Sequence, residues 1–113
     1  MLQIQTRHAQ PDVVVLELSG RLTIGRDCQH LEWTTESLVR EHNKKVILDL
    51  TGVTHIDSTG IGVIMSSAAQ VKNAGGELRI AGASGHVEHV LKMTSVDKVV
   101  PLHATPAAAT AGF

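Results

Sequence analysis

Val46, Ile47, Leu48 and Leu50 form an almost unbroken apolar run of strand length, interrupted only by Asp49. A strand with one face in water alternates apolar and polar residues, whereas a near-continuous run has both faces covered. The run therefore predicts an interior strand of a sheet, with packed layers around it. The flanking segments carry a different period. Between Ile24 and His42 the residues Ile24, Cys28, Leu31, Leu38 and Val39 mark one face of a helix, with Arg26, Glu32, Glu36 and Arg40 on the others. Trp33 falls off that stripe, half-buried at its edge or exposed, and Asn43, Lys44 and Lys45 close the helix. After the run, Ile61, Ile64, Met65, Ala68 and Val71 recur at helical spacing until Gly75–Gly76 stops them.

The ends of the chain complete the pattern. Leu2, Ile4 and Thr6 alternate with Gln3 and Gln5, the segment HAQPD supplies a turn, and Val13 to Leu18 follows as a second strand ended by Ser19 and Gly20. These two strands predict a hairpin. Leu78 to Ala81 is a further strand, and Ser84 can cap a third helix carrying Val87, Val90 and Leu91. Val99 to Leu102 reads as a last edge strand, where Pro101 is tolerated. The order β-β-α-β-α-β-α-β implies an α/β chain with a mixed sheet of four to five strands and helices against it. Residues 1–102 form one domain on this reading, and 103–113, rich in Ala and Thr, are expected to be poorly ordered.

Composition narrows the function. The chain has 113 residues, 42% of them hydrophobic, which suits one folded domain. Trp33 and Phe113 are its only aromatic residues, which argues against modules that stack bases. A formal net charge of −1 gives no footprint for direct nucleic-acid binding. Cys28 stands alone, excluding an internal disulfide and any cysteine-based zinc site. The N-terminus lacks a secretory pattern, and no run approaches the ~18 apolar residues of a membrane span. A cytoplasmic protein without membrane contact, metal or cofactor is the expectation.

Chemistry concentrates at Asp57-Ser58-Thr59-Gly60. The interior strand is expected to end near Leu50, with residues 52–56 crossing to the next helix. Ser58 or Asp57 is then its natural N-cap. Gly60 and Gly62 in the first turn call for a reason, since each costs a helix roughly 1 kcal/mol against Ala. A serine there is exposed, and the helix dipole favours a negative group on it. Enzyme readings fail on spacing. The residue two before Ser58 is Ile56, where a nucleophile elbow needs glycine. Thr59 separates Asp57-Ser58 from Gly60, unlike the aspartic-protease D-[ST]-G. Neither a phosphate loop nor a dinucleotide loop is complete. His86 and His89 stand at i, i+3 beside Glu88 without an identifiable third ligand, so a surface pair is the ordinary reading. His55, three residues before Ser58, competes as a base, although a loop histidine capping backbone is the favoured reading.

The segment VILDLTGVTHIDSTGIGVIMSSAAQVKNAGGELRIAG resembles the core of the STAS domain family, that of bacterial anti-sigma factor antagonists. The D-S-[ST]-G-[ILV]-G loop, the helix and its G-G stop match without a gap from Val46 to Ala81, and the flanks fit the family layout. The resemblance implies an antagonist, not an enzyme, that binds an ATP-binding anti-sigma factor serine/threonine kinase and frees a sigma factor. The kinase would phosphorylate Ser58, and a metal-dependent serine phosphatase would reverse it. Asp57, Ser58, Thr59, Gly60, Ile61 and Gly62 then face the partner, together with Thr23 in the turn Gly20-Arg21-Leu22-Thr23. Many members carry an acidic residue where Thr23 stands, which bears on the partner's identity. A non-switching scaffold subunit of a signalling or lipid-transport complex is the alternative, and a small serine hydrolase a third.

Overall fold

A computed structural model describes residues 2–113. Strands β1 (Gln3–Gln10) and β2 (Val13–Leu22) precede helix α1 (Arg26–Arg40), β3 (Lys45–Ile56) and α2 (Ser58–Asn73). They are followed by β4 (Glu77–Ala81), α3 (Gly85–Met93), β5 (Leu102–His103) and α4 (Pro106–Thr110). The five strands form one mixed sheet in chain order, β1 antiparallel to β2 and every later pair parallel.

That order decides where the helices go. Parallel neighbours need crossovers, and crossovers of one hand laid down in one direction put every connecting helix on the same face. Accordingly α1, α2 and α3 share one core. Val14, Leu16 and Leu18 of β2, Val46, Leu48 and Leu50 of β3, and Leu78 and Ile80 of β4 meet Leu31, Leu38, Val63, Ile64, Val71, Val87 and Leu91. The intervening residues Val13, Val15, Ile47 and Ala81 point to the second face, against Ala109 and Phe113. The uninterrupted apolar run of β3 is thus the interior strand of a two-faced sheet. The hairpin forms as expected, with Gln3 opposite Ser19, although β1 continues through His8 to Gln10 before the Pro11–Asp12 turn.

Several elements depart from the expectation. Residues 51–56 are no crossing loop: β3 continues to Ile56, paired with β2 through Gly20↔Val53 and Leu22↔Ile56 across two register shifts. Ile24 lies ahead of α1 and is exposed, while Cys28, Leu31, Thr35 and Leu38 form the buried face. Trp33 is exposed. Ser84 occupies the N-cap position of α3 without a side-chain hydrogen bond. Val99 is exposed, because a 3-10 turn at Val96–Lys98 takes that segment and buries Val96 and Val100 instead. The last strand is Leu102–His103, and pairing begins where the Ile80 amide donates to the Pro101 carbonyl.

The tail departs most. Residues expected to be poorly ordered include α4, capped by the Thr105 hydroxyl on the Ala108 amide. Arg79 holds the segment from the sheet: its guanidinium donates to the carbonyls of Ala109 (2.8 Å), Ala111 (3.1 Å) and Gly112 (3.4 Å). The Phe113 ring stacks 3.8 Å from it, and Glu77 pairs with it at 2.8 Å. The small residues that look featureless in sequence are what lets α4 lie close on Val13, Val15 and Ile47. The Arg79 side chain is 13% exposed, and its bond to the Ala109 carbonyl is partly buried. Arg79→Ala is expected to cost about 2 kcal/mol in urea unfolding. It should also speed amide exchange in 106–113 without changing exchange in α2.

Candidate functional site

The end of β3 delivers the chain to the start of α2, and one side chain organises that junction. Asp57 is the N-cap, in extended conformation, with its carbonyl accepting the first helical bond from Ile61 at 3.0 Å. Its Oδ1 accepts from the Gly60 amide at 2.8 Å. Oδ2 accepts from the Ile24 amide at 2.9 Å, reaching across to the turn between β2 and α1. The cap is therefore Asp57, and Ser58 is the first residue of the helix, with its side chain free of the capping role. The bonds from Gly60 and then Ile24 hold the Asp57 carboxyl below its ordinary value.

The same turn is gripped from the other side. The Cys28 thiol donates to the Thr23 carbonyl at 3.1 Å. Burial, with the charges of Asp57, Asp27 and Glu32, pushes that thiol up to about 11, so it stays protonated and remains a donor. The Asp57 amide in turn donates to the Leu22 carbonyl at 3.4 Å. Thr23 thus stands between Leu22 and Ile24, the two residues whose backbone is bonded to Asp57, and is itself tied to Cys28.

The two glycines of the first turn have opposite reasons. Gly60 is buried, and a Cβ there would run into the Leu22 carbonyl and lie 2.9 Å from Ile56 Cγ1. Only a missing side chain lets α2 start this close to the end of β2. Gly62 is exposed, and a Cβ there would meet nothing within 4 Å. No contact within the chain requires it. Ser58 is exposed, Thr59 and Ile61 are half-buried, and Ile61 packs on the core. Residues 57–62 and 23 therefore gather at one corner of the molecule.

The histidines go elsewhere. His55 Nδ1 lies 2.9 Å from the Thr54 hydroxyl rather than against Ser58, so His55 is not placed as its base. His86 and His89 are both exposed on α3. No group of three or more metal-ligating side chains occurs among the described residues, and none of their helices is long and apolar enough to cross a membrane.

This corner sits in a recognisable frame, because the STAS domain family model matches residues 4–109. The chain belongs to the STAS domain family. A Thermotoga neapolitana protein assigned as an anti-sigma factor antagonist is 30% identical over 94 residues, 83% of each chain. The crystal structure of its Thermotoga maritima counterpart superposes with a TM-score of 0.86 at 26% identity, covering 94% of this chain and 90% of that one. The Bacillus anti-sigma factor antagonist SpoIIAA, 16% identical, shares the fold in both solved forms. The TM-score is 0.68 for the unphosphorylated form, over 89% of this chain and 86% of that one. It is 0.74 for the phosphorylated form, over 95% and 96%. This is a STAS domain of the anti-sigma factor antagonist type.

Two outcomes test the geometry. Gly60→Ala is expected to lose about 3 kcal/mol through overpacking, whereas Gly62→Ala should gain about 0.5–1 kcal/mol from helix propensity. Urea midpoints read both. The Asp57 stabilisation is fully present above the ordinary carboxylate value of 3.8 and is lost as pH falls through the lower folded value. Asp57→Asn should therefore be less stable than wild type at about pH 7, with the gap narrowing as pH falls below 3.8 and closing only once it has passed through the lower folded value.

Proposed function

We propose that this STAS domain is a phosphorylation-switched anti-sigma factor antagonist whose modified residue is Ser58. Unphosphorylated, it binds an ATP-binding anti-sigma factor serine/threonine kinase in the cytoplasm and so releases a sigma factor. Phosphorylation ends that binding, and a metal-dependent serine phosphatase restores it. Asp57, Ser58, Thr59, Gly60, Ile61, Gly62 and Thr23 form the contact surface.

The observation that carries the reading is the division of labour between Asp57 and Ser58. Because Asp57 caps the helix, the Ser58 hydroxyl is exposed and free to be modified at no cost to the cap. The amides of Ser58 and Thr59 have no carbonyl a turn behind them, and the helix dipole adds partial positive charge. A phosphate brings about −1.5 to −2 charges and three acceptor oxygens. The helix start accommodates that anion, so the fold should persist. A closely seated partner, by contrast, meets a bulky charged group where it needs a small neutral one. The fold that SpoIIAA keeps in both of its forms supports this separation of affinity from folding.

Gly62 adds support. A bare, exposed position with no use inside the chain suits close approach by another backbone. No hydrolase reading has comparable support, since His55 is not placed as a base for the serine.

Incubation with an anti-sigma-type kinase and ATP is expected to add one phosphate by intact mass, and Ser58→Ala should abolish it. Phosphorylated protein and Ser58→Asp should bind the kinase at least tenfold more weakly, with an unchanged circular dichroism spectrum. No transfer to wild type would favour the non-switching scaffold. A phosphomimetic that unfolds would overturn the separation of affinity from fold.

A further inference from the structure

We infer that Ile24 is an apolar anchor by which the kinase holds this domain, seated beside the serine that it modifies. The inference rests on the proposed function above and adds the residue that secures the partner.

Ile24 is 75% exposed, and its side chain belongs to neither hydrophobic cluster of the fold. Isolated exposed apolar residues are common and ordinarily carry no meaning. This one differs in how it is held. Its amide is bonded to Asp57 Oδ2 at 2.9 Å, which places it one hydrogen bond and one residue from Ser58. The preceding carbonyl, that of Thr23, is tied to the Cys28 thiol. The peptide unit that carries the side chain is therefore held at both its carbonyl and its amide, and seating Ile24 in a partner freezes little further backbone motion there. Trp33, Met93 and Val99 are exposed as well, but no hydrogen bond ties them to the start of α2.

The surroundings are cleared for contact. Gly25 follows with φ +111°, and a Cβ there would meet nothing within 4 Å. Gly62 presents the same bare backbone on the first turns of α2. A branched apolar side chain standing beside the bare Gly25 backbone has the form of a knob for a pocket in a protein. The occupant is the kinase because any enzyme that transfers phosphate to Ser58 must seat the neighbouring surface, and Ile24 is part of that surface.

The test measures binding of wild type, Ile24→Ala, Ile24→Val and Met93→Ala to purified anti-sigma-type serine kinases of the source genome, by calorimetry, alongside phosphate transfer to Ser58. Ile24→Ala is expected to weaken binding about 10- to 100-fold and to raise KM for transfer by a similar factor. Ile24→Val should stay within about threefold of wild type, and Met93→Ala, an equally exposed side chain, should match it. Melting temperatures should not move, because alanine and valine at 24 keep the amide that Asp57 binds. Wild-type affinity in Ile24→Ala overturns the anchor while leaving the antagonist reading intact. If no such kinase binds or phosphorylates wild type, the reading falls and the anchor with it.

Discussion

The Asp57 carboxylate is the interaction on which this corner depends. One oxygen closes the first turn of α2 and the other fixes the turn that leads from β2 to α1. Two segments far apart in sequence are thereby set in one relation by a single short side chain. A helix cap ordinarily contributes about 1 kcal/mol and concerns one helix only. Here the same carboxylate also decides where Thr23 and Ile24 stand relative to Ser58. The hydroxyl is left unemployed because its neighbour does all the capping.

Close packing reinforces that bond. The Gly60 backbone lies against the Leu22 carbonyl, so the helix start cannot slide without a collision. Further along, the Thr35 hydroxyl donates to Ser67 Oγ at 3.0 Å in the buried seam between α1 and α2. A buried polar pair of this kind is costly unless both members meet, so it favours one alignment of the two helices. The cap, the close contact and the buried pair thus hold the geometry of the corner together.

Much of this was legible from the residues alone. The run at Val46–Leu50 declared an interior strand because an unbroken apolar pattern leaves no face for water. The helices declared themselves through period, and Gly75–Gly76 through its break. What escaped notice depends on distant partners. Residues 51–56, TGVTHI, bury only Val53 and Ile56, and their pairing with β2 passes through two register shifts that blur alternation. Asp57 and Ser58 are both capable caps, and the choice is settled by an amide 33 positions away. The tail carries no periodic signal, since its order comes from Arg79, a charged residue that a local reading assigns to solvent. Gly60 and Gly62 look alike in sequence and separate only when the surrounding atoms are known.

The sheet order has a consequence for how the chain comes together. Strands are added in the sequence in which they are synthesised, and none must be inserted between two that are already paired. Each βα unit meets a finished edge, although every parallel pairing still waits for its crossover to close. The corner bearing Ser58 needs only the first three strands and two helices, β1 through α2, in the order they appear, leaving β4 onward to complete the far edge. The last segment to arrive then seals the second face, where Val13, Val15 and Ile47 would otherwise remain open to self-association. A nascent chain is therefore exposed to aggregation on one defined surface, and for one defined interval.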